Sequence, residues 1–162
     1  MSIEAFAARL RDLEVFRGLQ PEQLLSIARN MERIVFKPGQ ILVQAGSEGD
    51  GAYVIVSGDA ETLPLYEDER PEEIEPGSLI GEMAMLIEHT HKISVIARGQ
   101  VRTLKISRAA LHGLLLEDPA MAEHFVEKIS SRLTRMAVEL RRIDQMLALS
   151  GEAAEETAPA GL

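Results

Sequence analysis

Between residues 32 and 106, glycine interrupts a series of short β-rich runs at positions 39, 46, 49, 51, 58, 77 and 81. The runs read RIVF, QILVQ, AYVIVSG, AETLPLY, ISVIA and VRTLKI. Several short strands with regular turn signals predict a compact antiparallel sandwich or roll. KPG and SEGDG carry turn chemistry, and the acidic YEDERPEE, which contains Pro71, reads as an exposed hairpin tip. Aromatic residues make up only 4% of the chain and there is no Trp, so the core of such a roll must be aliphatic.

Helical patterns flank this region. Ile3, Phe6, Ala7, Leu10 and Leu13 recur at helical spacing within residues 2–14. A second helix is expected from Pro21, which suits a first helical position, with Glu22 at the helix N-terminus and Leu24, Leu25, Ala28 and Met31 on one face. SRAALHGLLLEDP predicts a short helix with Ser107 as N-cap, ending before Pro119. The longest helical signal covers residues 120–149. The fold class expected is α+β: an antiparallel β-roll of jelly-roll or cupin-like type with N-terminal helices over residues 1–118, a long helix over 119–149, and a disordered acidic tail over 150–162.

The long helix carries a seam. Val126, Ile129, Leu133, Met136, Leu140, Ile143 and Leu147 are spaced alternately three and four apart, an uninterrupted a/d pattern. One helix cannot bury such a seam on itself, and globular helices seldom keep a strict 3.5-residue repeat so long. The expectation is a parallel homodimer through these residues, with packing on the chain's own β-domain as the other reading.

Charge and composition exclude several functions. The net charge of -9 argues against coating nucleic acid or docking on an anionic membrane. No cysteine is present, which removes disulfides, iron–sulfur clusters, thiolate zinc sites and cysteine nucleophiles. No apolar run is long enough to span a bilayer, and MSIEAFAARL is not a signal peptide, so the chain reads as cytoplasmic. No nucleophile–base pair and no paired-carboxylate motif stands out, so an enzyme is not expected. His89 and His91 share a face of an extended segment, but a zinc site needs further ligands and His112 and His124 lie on distant helices. The cupin pattern His-x-His-x-Glu fails as well, because Ile93 and Val95 follow.

Three stretches carry a more specific likeness. LEVFRGLQPEQLLSIA looks like an opening Phe-x-Gly-Leu followed by a helix; FKPGQILVQAGSEGDGAYVIVSGDAE presents Pro-Gly, Gly-Asp, Tyr-x-Ile and Ser-Gly landmarks; PGSLIGEMAML looks like a phosphate-binding cassette. Together, over roughly residues 12–148, they resemble the cyclic nucleotide-binding domain, the regulatory fold of catabolite-activator-type regulators, protein kinase A regulatory subunits and nucleotide-gated channels. The resemblance implies a non-enzymatic sensor with cAMP or cGMP as ligand and no required cofactor. It assigns Gly81 to a tight turn near the ligand, Glu82 to the ribose 2′-hydroxyl, and Met83 and Ala84 to a short helix whose N–H groups face the phosphate. Ser130, Ser131 and Arg132 would cap the base. It also implies that binding repositions the long helix and so reaches an unknown protein partner. No helix-turn-helix follows the long helix, so DNA binding in the manner of family transcription factors is not expected.

The cassette departs from the family at its end. The family's phosphate-binding arginine falls ten residues after the glycine, where this chain has His91, followed by Lys92 and Ile93. Arginine offers a permanent charge in a fixed fork, whereas histidine is mostly neutral above its ordinary pKa of ~6.5. Strand alternation should aim Lys92 away from the side of His91 and put Ile93 on that side, in the volume a ribose phosphate needs. Three outcomes stay open: weak cyclic-nucleotide binding involving Gly81, Glu82, Met83, Ala84, His91 and Lys92; another small anion; or a dimerising adaptor that has lost its ligand.

Overall fold

The computed structural model describes residues 2–157. Its elements run α1 (Ile3–Leu10), a 3-10 turn (Glu14–Phe16), α2 (Pro21–Arg29), β1 (Glu32–Phe36), β2 (Ile41–Val43), β3 (Glu48–Gly49), β4 (Gly51–Ser57), β5 (Ala60–Leu63), β6 (Glu73–Ile74), β7 (Leu79–Ile80), α3 (Glu82–Leu86), β8 (His89–Thr90), β9 (Ser94–Ala97), β10 (Val101–Ser107), α4 (Arg108–Glu117) and α5 (Pro119–Thr157).

All strand pairs are antiparallel. One sheet has the order β1-β10-β4-β7, the second β2-β9-β5-β6, and a two-stranded ladder joins β3 to β8. Aliphatic side chains fill the roll: Leu42, Val43, Ile55, Ile80, Val95 and Val101 are buried together, with Phe36, Tyr53 and Ile74 packed at the margin. Alternation in β1 explains its two faces, since Phe36 turns to this core while Arg33 and Val35 are exposed.

The helical starts follow local chemistry. Ser2 caps α1 by accepting the Ala5 N–H, and Ser107 caps α4 by accepting the Ala110 N–H at 3.1 Å. At α2 the Gln23 side chain accepts the Gln20 N–H at 2.8 Å, with Pro21 in the first turn. Gln23 also donates to Asp118 at 3.1 Å, tying the start of α2 to the end of α4.

The chain forms two compact units, Met1–His124 and Phe125–Leu162. The first includes the opening of α5, so the boundary lies six residues beyond the expected 118/119 division. Buried Met121 and a hydrogen bond between His124 Nε2 and the Val15 carbonyl (2.8 Å) hold that opening turn to the first unit. In the second unit α5 passes the expected end at residue 149 and continues to Thr157. The segment after Gly151 reads EAAEET, whose Glu and Ala residues favour helix and outweigh one glycine. The last part of the tail expected to be disordered, residues 158–162, lies outside the described residues. Of the seam, Val126, Leu133, Met136, Leu140, Ile143 and Leu147 are exposed, while Ile129 is half-buried. No described helix is long and apolar enough to cross a membrane.

Candidate functional site

The segment from β7 to β9 crosses from one sheet to the other. It leaves the first sheet at Ile80, makes a turn at Gly81, forms α3, pairs as β8 with β3, bends at Lys92 and Ile93, and enters the second sheet at Ser94. Gly81 has φ +78°, the left-handed region that glycine adopts without steric cost. A Cβ there would also lie 3.0 Å from the Gly51 carbonyl oxygen and 3.2 Å from the His91 ring.

Inside this loop His91 is buried, with 9% of its surface exposed. Its backbone is fixed at both ends: the His91 N–H donates to the Ser47 carbonyl at 2.9 Å, and the His91 carbonyl accepts the Gly46 N–H at 2.9 Å. The imidazole lies in a corner walled by Gly81 and Gly49. A Cβ on Gly49 would sit 2.4 Å from His91 Nε2 and 2.7 Å from the Ala84 Cβ, so glycine at 49 is what makes room for the ring. Burial pushes the His91 pKa below its ordinary value; neighbouring His89 adds to the shift and Asp50 opposes it. At neutral pH this corner therefore holds a neutral ring.

One expectation about a neighbouring residue turns out differently. Ile93 does not share the His91 side; it is 47% exposed. Residues 92 and 93 form a bend rather than a strand, so the two-residue alternation assumed from the sequence does not apply there. Lys92 is exposed, whereas His91 is buried. Ala84 is fully buried, and its N–H donates to the Gly81 carbonyl at 3.0 Å, closing the first turn of α3. Met85 is fully buried, whereas Gly81, Glu82 and Met83 are half-buried along the loop. Glu82 opens the helix immediately after the left-handed glycine.

One residue that no sequence motif pointed to organises the site. Arg108, the first residue of α4, reaches across to the cassette: its Nη1 donates to the carbonyls of Gly49 (2.9 Å), Ala84 (3.1 Å) and Ile87 (3.2 Å). One turn later, His112 Nε2 meets the Leu86 carbonyl at 2.7 Å. Short α3 has unpaired carbonyls at its C-terminal end, and these two side chains of α4, four residues apart on one helix face, satisfy them. A cation at the start of α4 opposes that helix's own dipole, and this local conflict is the signal that could have singled Arg108 out. The Arg108 N–H also donates to the Asp50 carbonyl at 2.7 Å. The Asp50 carboxylate accepts from Lys105 Nζ at 2.7 Å, a hydrogen bond that holds its pKa below the usual carboxylate range. Loop 48–51, α3 and α4 are thereby locked around His91. Among the described residues no cluster of three His, Cys, Asp or Glu side chains could hold a metal.

The family model described as the cyclic nucleotide-binding domain matches residues 33–118, more than half of the chain. The chain belongs to that family. The matched span contains the β-roll from the second residue of β1 onward, the cassette and α4. The chain is 26% identical over 113 residues to a cAMP-dependent protein kinase regulatory subunit from Blastocladiella emersonii, covering 68% of this chain and 28% of the relative. It is 29% identical over 144 residues to the acetyltransferase Pat of Mycolicibacterium smegmatis, covering 85% of this chain and 43% of the relative. The match thus spans less than half the length of either relative. A solved N-terminal domain of a transcriptional regulator from Streptomyces coelicolor shares the fold with a TM-score of 0.70 and 23% identity, over 82% of this chain and 94% of that one. The α+β fold with N-terminal helices, antiparallel sheets and a long C-terminal helix is that of the family.

Proposed function

We propose that this chain is a non-enzymatic regulatory module that binds a cyclic nucleotide weakly at residues 81–92 and passes its state on through α5. The observation that carries the reading is the cassette geometry: a left-handed Gly81 leads directly into Glu82 and α3, with Gly49 and Gly81 walling the corner where His91 stands. With His91 where the family places its phosphate-binding arginine, the site forgoes a hydrogen bond to a charged group, a contribution of about 1.5–3 kcal/mol or roughly ten- to hundredfold in affinity. Gly81, Glu82, Met83 and Ala84 supply the turn and the short helix, His91 the polar contact to the phosphate, and Lys92 a solvent-exposed charge nearby.

A second reading has its own observation. The His91 ring packs closely into the glycine-walled corner, so the chain's own side chain takes space that a phosphate needs. On that reading the module is an adaptor without a ligand. In both, the exposed a/d side chains of α5 form a parallel homodimer, since burying this stripe against a second copy is the available way to remove it from water. Isothermal titration with cAMP and cGMP decides between them: heat saturating below millimolar ligand supports the sensor, and no heat at millimolar ligand at pH 6 and pH 8 leaves the adaptor. Light scattering tests the dimer, which should persist at micromolar concentration and dissociate on Leu133→Asp with Leu140→Asp; a wild-type monomer would refute it.

A further inference from the structure

A groove of about 510 Å³ lies on the first sheet where α1 and α2 meet it, away from the cassette. Its floor is the exposed face of the β1–β10 ladder. Val35 stands opposite Arg102 and Arg33 opposite Leu104, so cationic and aliphatic side chains alternate across both strands. Arg29, from the last turn of α2, adds a third cation, and Ile3, Phe6 and Val56 add apolar wall. None of these three guanidinium groups is ion-paired among the described residues. In a chain of net charge -9, three unpaired arginines in one groove reverse the local sign.

The complementary chemistry is carried by the same chain. The connection from β5 to β6 exposes Leu65 and Tyr66, at 54% and 68%, followed directly by Glu67, Asp68 and Glu69. The turn is held in shape: the Glu69 N–H donates to the Tyr66 carbonyl at 3.1 Å, and the Leu65 N–H donates to the Glu69 carboxylate at 2.8 Å. Two bulky apolar side chains beside a run of carboxylates match an aliphatic groove edged by arginines. The connection is anchored in the second sheet by Ala60 opposite Ile74, whereas the groove belongs to the first, so loop and groove meet between copies.

We propose that the groove receives the 64–72 loop of a second copy of this chain, with Leu65 and Tyr66 seated beside Val35 and Ile3 and the carboxylates facing Arg29, Arg33 and Arg102. Groove and loop are different patches, so the contact is heterologous: it closes as a reciprocal exchange or extends from copy to copy. A single loop covers less than a standard stable interface, which makes the contact weak and dependent on ionic strength.

The absence of native cysteine allows a direct test on the full chain. A Gln100→Cys protein, labelled at the groove rim, is mixed with an Arg70→Cys protein, labelled beside the loop, and treated with a short bis-maleimide. The expected result is a cross-linked pair several-fold more abundant than with Leu116→Cys as the second partner, a residue exposed on α4. High salt or Arg33→Glu with Arg102→Glu should abolish the excess, and Glu67→Arg with Asp68→Arg on the loop copy should restore it against the reversed groove. Melting curves confirm that each surface variant is folded. A yield equal to the Leu116→Cys control, or one indifferent to salt and charge reversal, overturns the proposal.

Discussion

Replacing His91 by arginine is the sharpest probe of the cassette. The His91 backbone is pinned by hydrogen bonds to Ser47 and Gly46, so the new side chain starts from the same place and direction. Burial keeps the native ring below its ordinary pKa, so with ~6.5 as an upper limit the protonated fraction is at most about 3% at pH 8 and about three-quarters at pH 6. An anion favours the protonated ring, so binding takes up a proton. If the charged form contributes about 1.5–3 kcal/mol more than the neutral one, cAMP affinity of the native protein should rise by roughly five- to thirtyfold from pH 8 to pH 6. His91→Arg should bind about ten- to hundredfold more tightly than the native protein at pH 8. It should also lose the pH dependence over this range, because guanidinium does not titrate there. Isothermal titration at both pH values, in buffers of different ionisation enthalpy, reads affinity and proton uptake together. If the native protein binds with equal affinity at pH 6 and pH 8, or if His91→Arg binds no better at pH 8, the ring does not face the anion and the reasoning fails.

Three further outcomes follow from the same geometry. Gly49→Ala places a methyl group 2.4 Å from His91 Nε2 and 2.7 Å from the Ala84 Cβ, so it should destabilise by about 1–3 kcal/mol in chemical denaturation; pairing it with His91→Ala should recover only part of the loss, because the Ala84 contact remains. Arg108→Ala strips charge-assisted donors from the carbonyls of Gly49, Ala84 and Ile87; one Nη1 has two hydrogens for three acceptors, so the expected cost is about 1.5–3 kcal/mol rather than three times that, read by denaturation and by faster amide exchange in α3. In the absence of ligand the depressed His91 pKa means the unfolded chain binds more protons, so stability is full above ~6.5 and falls as pH drops through the lowered folded value; His91→Gln should flatten the melting temperature over that window.

The sequence determined the architecture because its signals are local. Glycine spacing, the alternating strand runs, Pro21 and Ser107 each act over a few residues, and the longer strands and the helix starts stand where they were expected to within one or two positions, whereas α1, β5 and α5 end three to eight residues from the expected boundary. The heptad spacing of α5 is equally local, and six of its seven residues are exposed on the helix surface, with Ile129 half-buried. Strands of two residues, such as β3 and β8, carry no such signal and exist only because the cassette brings them side by side. The tertiary structure alone decided the character of the site. Alternation predicted Ile93 beside His91, but a bend at 92–93 breaks the period and turns Ile93 to solvent. Arg108 gave no motif because its acceptors are backbone carbonyls up to 59 residues away, and carbonyls have no residue type to read. His91 was legible as a substitution in a family pattern. That it is neutral, buried and fitted between Gly49 and Gly81 depends on three chain segments meeting, which no spacing along the sequence encodes.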